Sequence, residues 1–483
     1  MGAFEEMAEW AMGLRASDVP PDVLERARAQ AMATVAAVHA GAAHPAAAQA
    51  RDVALALGTR GACTLAGSDE RVAPIAALLA DASASMAHDF DDYLFLGHTG
   101  HSAVLAPIAI GEETNASMSD ALVAQVAANE IAGRLGAFVS VGPQNGQLWA
   151  HIHLAGAVVA AARLRGLDAL TCAHALAIAF YQPGFSLWPG FMGSEAKVLT
   201  AAWPCAQGVL ATDLAMRGMK GALGLLEHPQ GFGRHFSFLP LPQLLGGLGD
   251  AWVTRSLSLK PYPGCAYTTA PVQATLLACG SRRLEAREVA RVRVMASALT
   301  TGMESLCDRS VPPSSLDPIA INFSARRSIA VAIMAGKLGP AEMSEAWIAP
   351  RASDLAQLAR RVELGEDRAM TIGVLQGIAR AVPLGALARE VGLREAARGA
   401  RRLIAHHGAA FRDPLGRARG ASLAGVGELI APFLSRERFD PRAIRFEELA
   451  FRFAAEVEIE LTSGERLHAR VDRPRGAAGG SVE

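Results

Sequence analysis

Residues 88–101 read His-Asp-Phe-Asp-Asp-Tyr-Leu-Phe-Leu-Gly-His-Thr-Gly-His, placing three histidines and three carboxylates within fourteen positions of an otherwise apolar, alanine-rich chain. Imidazole takes or gives a proton near neutral pH, and a neighbouring carboxylate fixes its tautomer and raises its basicity, so the combination suits general acid/base catalysis. The interleaved Phe90, Leu94, Phe95 and Leu96 argue against a fully solvated connection between helices. His98 and His101 are the candidate acid and base, with Asp89 or Asp92 orienting one ring. A second pair, His151 and His153, alternates; on a helix such side chains point about 200° apart, so only one faces a given cleft. We favour His153, because the helix it opens continues through Gly156 and Ala160, although a histidine capping that helix would look the same.

Other groups qualify by type. His98, His101, His151, His153, Asp89 and Asp91 are all metal-ligand types, but their spacing fits no familiar motif and no metal is expected. Cys265 has no assigned base beside it, so a nucleophilic role is not expected. Phe185, Trp188, Pro189 and Phe191 form an aromatic loop that suits either a pocket wall or plain core.

The chain that must position these groups has 483 residues, enough for one large or two ordinary domains, and is half hydrophobic. Its formal net charge of −1 offers no basic face for a nucleic acid, so a small-molecule substrate is expected. Six cysteines, at 63, 172, 205, 265, 279 and 307, show no CxxC spacing, which points to a reducing compartment. The start, Met-Gly-Ala-Phe-Glu-Glu, lacks the basic-then-apolar order of a secretion signal. Uninterrupted apolar stretches such as Leu154 to Ala162 fall short of the roughly 18 residues that cross a bilayer. A cytoplasmic protein without membrane contact is expected.

Small and aliphatic residues at three- and four-residue spacing predict helices up to about residue 250. Pro20-Pro21 opens one and Gly41 closes it; Ser119 is the expected cap of the next long helix, where Glu130 and Arg134 form an i,i+4 pair on a polar side. A third runs from about Leu154 to Arg165 and stops at Gly166. Near Leu257 the texture changes to a Pro/Gly-broken segment, a helix near Thr268 to Leu277, and a strand from Val289. Glu456-Val-Glu-Ile-Glu-Leu and Arg466-Leu-His-Ala-Arg-Val flank Thr462-Ser-Gly-Glu, a hairpin signal. The expected organisation is a helical domain over 1–256, an α+β lid over 257–370, a helical segment over 371–444 packing on either, a lid hairpin over 445–478 and a disordered tail at 479–483. The arginine-rich faces near 371–440 read as solvated helix surface.

Six stretches, in this order, resemble the MmgE/PrpD family of 2-methylcitrate dehydratase, cis-aconitate decarboxylase and iminodisuccinate epimerase. They are Val19-Pro-Pro-Asp-Val-Leu-Glu-Arg-Ala, Asp89-Phe-Asp-Asp with histidines following, Ala160-Ala-Ala-Arg-Leu-Arg-Gly-Leu-Asp, Lys197 eleven residues before Gly208-Val, Lys260-Pro-Tyr-Pro, and the hairpin from Glu456 to Arg475. The resemblance implies a mainly α fold, with a large all-helical domain, a smaller α+β lid, an active site between them, and a homodimer. It implies that Asp89 and either His98 or His101 line the cleft, that Lys197 is the active-site lysine and that Lys260 stands at the lid entrance. Three positions depart from the better-known members: Gln147 stands for a His, Cys265 for a lid His, and Val331 for a lid Tyr.

Family chemistry leaves an enolate-like charge beside a carboxylate, which the ammonium groups of Lys197 and Lys260 would offset. The resulting expectation is a cofactor-independent, dehydratase-type lyase acting on a small carboxylate, with Asp89, His98, His101, His153 and Lys197 catalytic and Asp92, Gln147, His151, Lys260 and Cys265 contacting substrate. Alternatives are an epimerase or isomerase, a decarboxylase of a related carboxylate, or a catalytically degenerate binding protein.

Overall fold

Proline at the first turn, where the missing N–H costs nothing, starts α2 (Pro21–Gly41), α3 (Pro45–Ala56) and α4 (Pro74–Ala87), after the short α1 (Ala3–Gly13). The computed structural model describes residues 2–58, 60–95, 97–142, 149–280, 282–407, 438–449 and 453–478. Helices continue as α5 (Gly100–Ala103), α6 (Leu105–Thr114), α7 (Met118–Phe138), α8 (Ala150–Leu164), α9 (Ala169–Tyr181), α10 (Trp188–Gly193) and α11 (Leu199–Met216). Small side chains let these helices approach closely: α4 packs on α2, α3 and α11, and α8 packs on α7 and α11.

Three details differ from the sequence expectation. The cap of α7 is Ser117, whose hydroxyl accepts from Asp120 N at 3.1 Å, and not Ser119. Glu130 and Arg134 do pair, but both are buried. Glu130 accepts from the backbone of Val253 and Thr254, and Arg134 donates to Gly246 O, Gly247 O and Ala251 O, so the pair anchors the loop before residue 257. Within the stretch expected to be helical lies a hairpin, β1 (Arg60–Leu65) with β2 (Ser68–Val72). Its strands are short and its register irregular, which leaves little alternation to read; Cys63, Leu65 and Val72 are buried in the helical core, with Cys63 Sγ donating to Ala109 O of α6.

After α12 (Phe232–Phe236) comes the two-residue strand β4 (Ser258–Leu259), which pairs antiparallel with the equally short β3 (Asp92–Tyr93) and brings the acidic segment beside Lys260. A four-stranded sheet follows in the order β6-β5-β7-β8, from β5 (Val289–Ala296), β6 (Val362–Glu366), β7 (Ala455–Leu461) and β8 (Arg466–Val471). The late hairpin pairs with the strand at Val289–Ala296 through Val294 opposite Val457. Alternate residues of β7 face a core shared with α13 (Thr269–Cys279) and α16 (Ala325–Ala335). Between these helices run α14 (Ala298–Ser310) and α15 (Pro318–Asn322). The fold is thus mainly α with a smaller α+β part.

The segment after β6 is helical over Arg368–Ala381, Leu384–Val391 and Leu393–His407. Ala381, Val382 and Leu387 join Tyr93, Leu94, Phe95 and Leu257 in one buried cluster that backs β3 and β4. Residues 408–437 of this segment, and the tail at 479–483, lie outside the described residues, as does Leu96. Near the C-terminus Gly476, at φ 79°, passes so close to β4 that a Cβ there would sit 2.0 Å from Leu259 O; Leu259 N donates to Gly476 O. No single helix among the described residues is long and apolar enough to cross a membrane.

Candidate active site

Helix α4 ends at Ala87, and two residues later Asp89 takes a left-handed backbone with φ 50°. A left-handed residue just past a helix turns the chain sharply, and aspartate tolerates that region better than most. The turn leaves the last carbonyls of α4 without helical partners. Four successive carbonyls are met from elsewhere in the chain, Met86 O in addition to its local His88 and Asp89 amides: Met86 O by Lys197 Nζ (2.6 Å), Ala87 O by Asn322 Nδ2 (3.0 Å), His88 O by Gly264 N (3.0 Å) and Asp89 O by Lys260 Nζ (3.0 Å). A helix C-terminus is partially negative and favours cations. Of the four lysines in the chain, two are buried at this end of α4.

Beyond the turn, Asp89 and Asp91 both reach the lysines, whereas Asp92, the first residue of β3, turns away from them. Asp89 Oδ1 lies 3.3 Å from Lys197 Nζ and its Oδ2 3.3 Å from Lys260 Nζ. Asp91 Oδ1 pairs with Lys260 Nζ at 2.5 Å, and its Oδ2 lies 3.0 Å from both His98 Nδ1 and His101 Nε2. Burial alone would raise both carboxyls, but nearby cations overcome it. Lys197 and Lys260 hold Asp89 below the ordinary carboxylate range, while Lys260, His101 and His98 hold Asp91 well below it. The ammoniums diverge. Burial and the neighbouring Lys260 push Lys197 down against the pull of Asp89, whereas for Lys260 the two aspartates outweigh burial and the net shift is upward.

His98 Nδ1 is also 3.0 Å from Asp92 O. A carboxylate and a carbonyl can only accept, so Nδ1 carries the hydrogen and the neutral ring keeps Nε2 free to take a proton. The His98 side chain retains 19% exposure, against 1% for His101. His101 Nε2 approaches Asp91 without hydrogen-bond alignment, and its Nδ1 is 2.7 Å from Ser85 Oγ on α4. Behind it His153 packs edge-on against His101 and meets Ser102 Oγ at 3.1 Å; burial, then His101 and His98, push it well below the usual histidine range.

Asp89, His98, His101, His153, Lys197 and Lys260 therefore gather in one place. Asp92 and His151 do not join them. Asp92 turns away into a buried network, accepting from Gln30 Nε2, which also contacts Thr99 and Asn129; Gly100 makes room, since a Cβ there would lie 2.0 Å from Asp92 Oδ1. Burial, then Asp91, push this carboxyl up to about 6. His151 sits on the opposite side of α8 from His153, among Phe180, Phe232 and Phe236, with Nε2 near Leu135 O. Cys265 follows Gly264 at the turn facing α4, and burial, then Asp89, push its thiol up to about 12, which keeps it protonated. Val331 is buried in the core that it shares with Val294 of β5 and Val457 of β7. Phe191 packs at a tilt against Phe323, whose ring centroid lies 5.3 Å from Lys197 Nζ, so the aromatic loop walls the lysine through one intermediary. Gln147 lies outside the described residues. Among the described residues no group of three His, Cys, Asp or Glu side chains is arranged to hold a metal.

Sequence reasoning misses Asp91, Asn322 and Ser85 as site residues. For Asp91 a signal exists, because it stands inside the acidic and histidine-rich stretch 88–101; for Asn322 and Ser85 nothing local marks them.

Residues 5–242 match the MmgE/PrpD N-terminal domain family. The chain is 26% identical over 292 residues to cis-aconitate decarboxylase of Aspergillus terreus, covering 56% of this chain and 59% of that protein. Over 276 residues it is 26% identical to the cis-aconitate decarboxylase-like protein oryM of Aspergillus oryzae, covering 53% of this chain and 57% of that protein. The chain thus spans less than two thirds of the length of these relatives.

Proposed function

Through its domain at residues 5–242 the chain belongs to the MmgE/PrpD family, and from that premise we propose that it is a cofactor-independent lyase of the cytoplasm acting on a small carboxylate. The observation that carries this reading is the bracketing of one carboxylate, that of Asp89, between the buried ammoniums of Lys197 and Lys260 at 3.3 Å each. A substrate carboxylate held in the same way has its neighbouring carbon acidified, because an enolate-like charge forms against two fixed cations in a dry site.

His98 is the base. Its Nε2 takes the proton from the carbon next to the bound carboxylate, while Asp91 steadies the ring through Nδ1; such positioned transfer is worth roughly 10² to 10⁴ in rate. His101, on the other flank of Asp91, supplies a proton to the departing hydroxyl, so that water leaves and a double bond remains. Decarboxylation is the second reading, favoured by the likeness to the Aspergillus proteins named above. There carbon dioxide leaves, the same lysines hold the resulting charge, and one histidine protonates the carbon. The convergence of Asp89, Lys197, Lys260 and two histidines weighs against a degenerate binding protein. A homodimer belongs to the proposal, and the exposed Trp203, Leu210 and Leu214 along α11 support it; light scattering on the purified protein tests it.

The deciding experiment follows a panel of small hydroxy- and unsaturated di- and tricarboxylates by NMR in deuterated water. Loss of water supports the dehydratase, loss of carbon dioxide the decarboxylase, and exchange with inversion alone an epimerase. A panel left wholly unchanged contradicts the enzymatic reading.

A further inference from the structure

Asp89 is the loosest member of the charged cluster. Its two oxygens stand 3.3 Å from their lysines, longer than the roughly 2.7–2.9 Å of a charge-assisted hydrogen bond, and Oδ2 makes no hydrogen bond among the described residues. Both lysines would keep an acceptor without it, at Met86 O for Lys197 and at Asp89 O and Asp91 for Lys260. Asp91, by contrast, is clasped by Lys260 and lies 3.0 Å from two histidines.

We propose that the substrate's carboxylate displaces the Asp89 side chain from the lysine pair, and that Asp89 takes up one proton from solvent as it leaves, becoming a carboxylic acid beside the reacting carbon. This rests on the reading of the lysine pair as a carboxylate site. The reason is charge balance. With His98 and His101 neutral as substrate enters, Lys197 and Lys260 offset Asp89 and Asp91, so an entering carboxylate would leave one uncompensated negative charge in a buried site, which is costly. Protonating the carboxylate that has just lost its cations removes that charge, since burial by itself favours the neutral form. The substrate keeps its own charge, and the proton goes to an Asp89 carboxylate oxygen.

The groups that face Asp89 leave few rival acceptors. They are Lys197 and Lys260, Asp91 and His98 from its own loop, Cys265 and Tyr267 from the lid, and the adjacent His88. Cys265 and Tyr267 are already protonated, since burial raises both, and Lys260 carries its proton with a net upward shift. Burial, then His44, push His88 down to about 4. Asp91 is held well below the carboxylate range. His98 and His101, on either side of Asp91, and Lys197, which burial pushes down, are the competing sites for the proton.

Calorimetry separates Asp89 from these sites. Binding of propane-1,2,3-tricarboxylate or succinate, which have no leaving group, is measured near neutral pH in buffers of different ionisation heat. The wild-type protein and His98→Gln are expected to take up about one proton, and Asp89→Asn, which already removes the charge, to take up none while binding at least as tightly. An infrared difference band of a protonated carboxyl in the wild-type complex tests the same point without a variant. No proton uptake by wild type, undiminished uptake by Asp89→Asn, or no protonated-carboxyl band overturns the proposal. Absence of binding of either ligand to any of these proteins overturns instead the assignment of the lysine pair as a carboxylate site.

Discussion

Lys260 meets Asp91 twice: its ammonium pairs with Asp91 Oδ1 at 2.5 Å, and its backbone N–H donates to Asp91 O at 3.1 Å. The double contact ties the first residue after β4 to the residue before β3. It also fixes the lysine against the histidines, because the other oxygen of the same carboxylate lies 3.0 Å from His98 Nδ1 and His101 Nε2.

Asp91→Asn should therefore cut turnover by about 10² or more, since it weakens the hold on His98, leaves Lys260 with half its counter-charge and removes the anion beside His101. The loss should fall on kcat more than on KM. Steady-state kinetics together with circular dichroism check this, and a folded variant with near-normal kcat would release Asp91 from the role.

The two lysines should differ in what their loss does to the fold. Lys260→Met strands Asp91 and half of Asp89 in a buried site and should cost about 3–5 kcal/mol, the range for removing one partner of a buried pair. Lys197→Met leaves Asp89 with Lys260 and should cost less. Both should lower turnover by about 10² or more. Adding Asp91→Asn to Lys260→Met should recover stability in urea unfolding without recovering activity.

Much of this arrangement is legible in the order of residues alone. The fourteen-residue cluster points to the site, and Lys260-Pro-Tyr-Pro to the lysine that closes it, because rare residue types in an alanine-rich chain stand out. The alternation of His151 and His153 is also readable, since helix geometry alone sends them to opposite sides, and His151 does lie in an aromatic core. What stays hidden depends on tertiary contacts. Glu130 and Arg134 look like a surface pair because the loop that buries them lies more than a hundred residues away. Asn322 is equally silent in sequence, because its contact with Ala87 O joins residues 235 positions apart. Asp92 resembles a ligand because nothing in its neighbours announces Gln30 beneath it.

Stability should depend on pH through two buried groups. Asp92 is pushed up to about 6, chiefly by burial and then by Asp91. A raised carboxyl contributes stability that is complete below its ordinary value near 3.9 and is lost as pH rises through about 6. Asp92→Asn should accordingly gain on the order of 2 kcal/mol more, relative to wild type, at about pH 8 than well below pH 6. His88 is pushed down to about 4, by burial first and His44 second. Its contribution is complete above the ordinary value near 6.5 and lost as pH falls towards about 4, so His88→Asn should flatten the acid limb. Thermal melts across this range check both signs.

Glu130→Ala should destabilise the protein by about 3–5 kcal/mol, because Arg134 is left buried without its anion and the Val253 and Thr254 amides lose their acceptor. Since that loop leads into β4, activity should fall with stability and recover on cooling. Urea unfolding at two temperatures, with activity measured in parallel, tests this.

The most direct test of the central claim is the rate at which each protein exchanges deuterium into the carbon next to a carboxylate, measured by NMR in deuterated water on whichever small carboxylate wild type turns over. The account predicts that His98→Gln lowers this exchange by about 10² or more, that Lys197→Ala does so as well, and that His101→Gln spares exchange while slowing net elimination. Exchange by His98→Gln at the wild-type rate would contradict it.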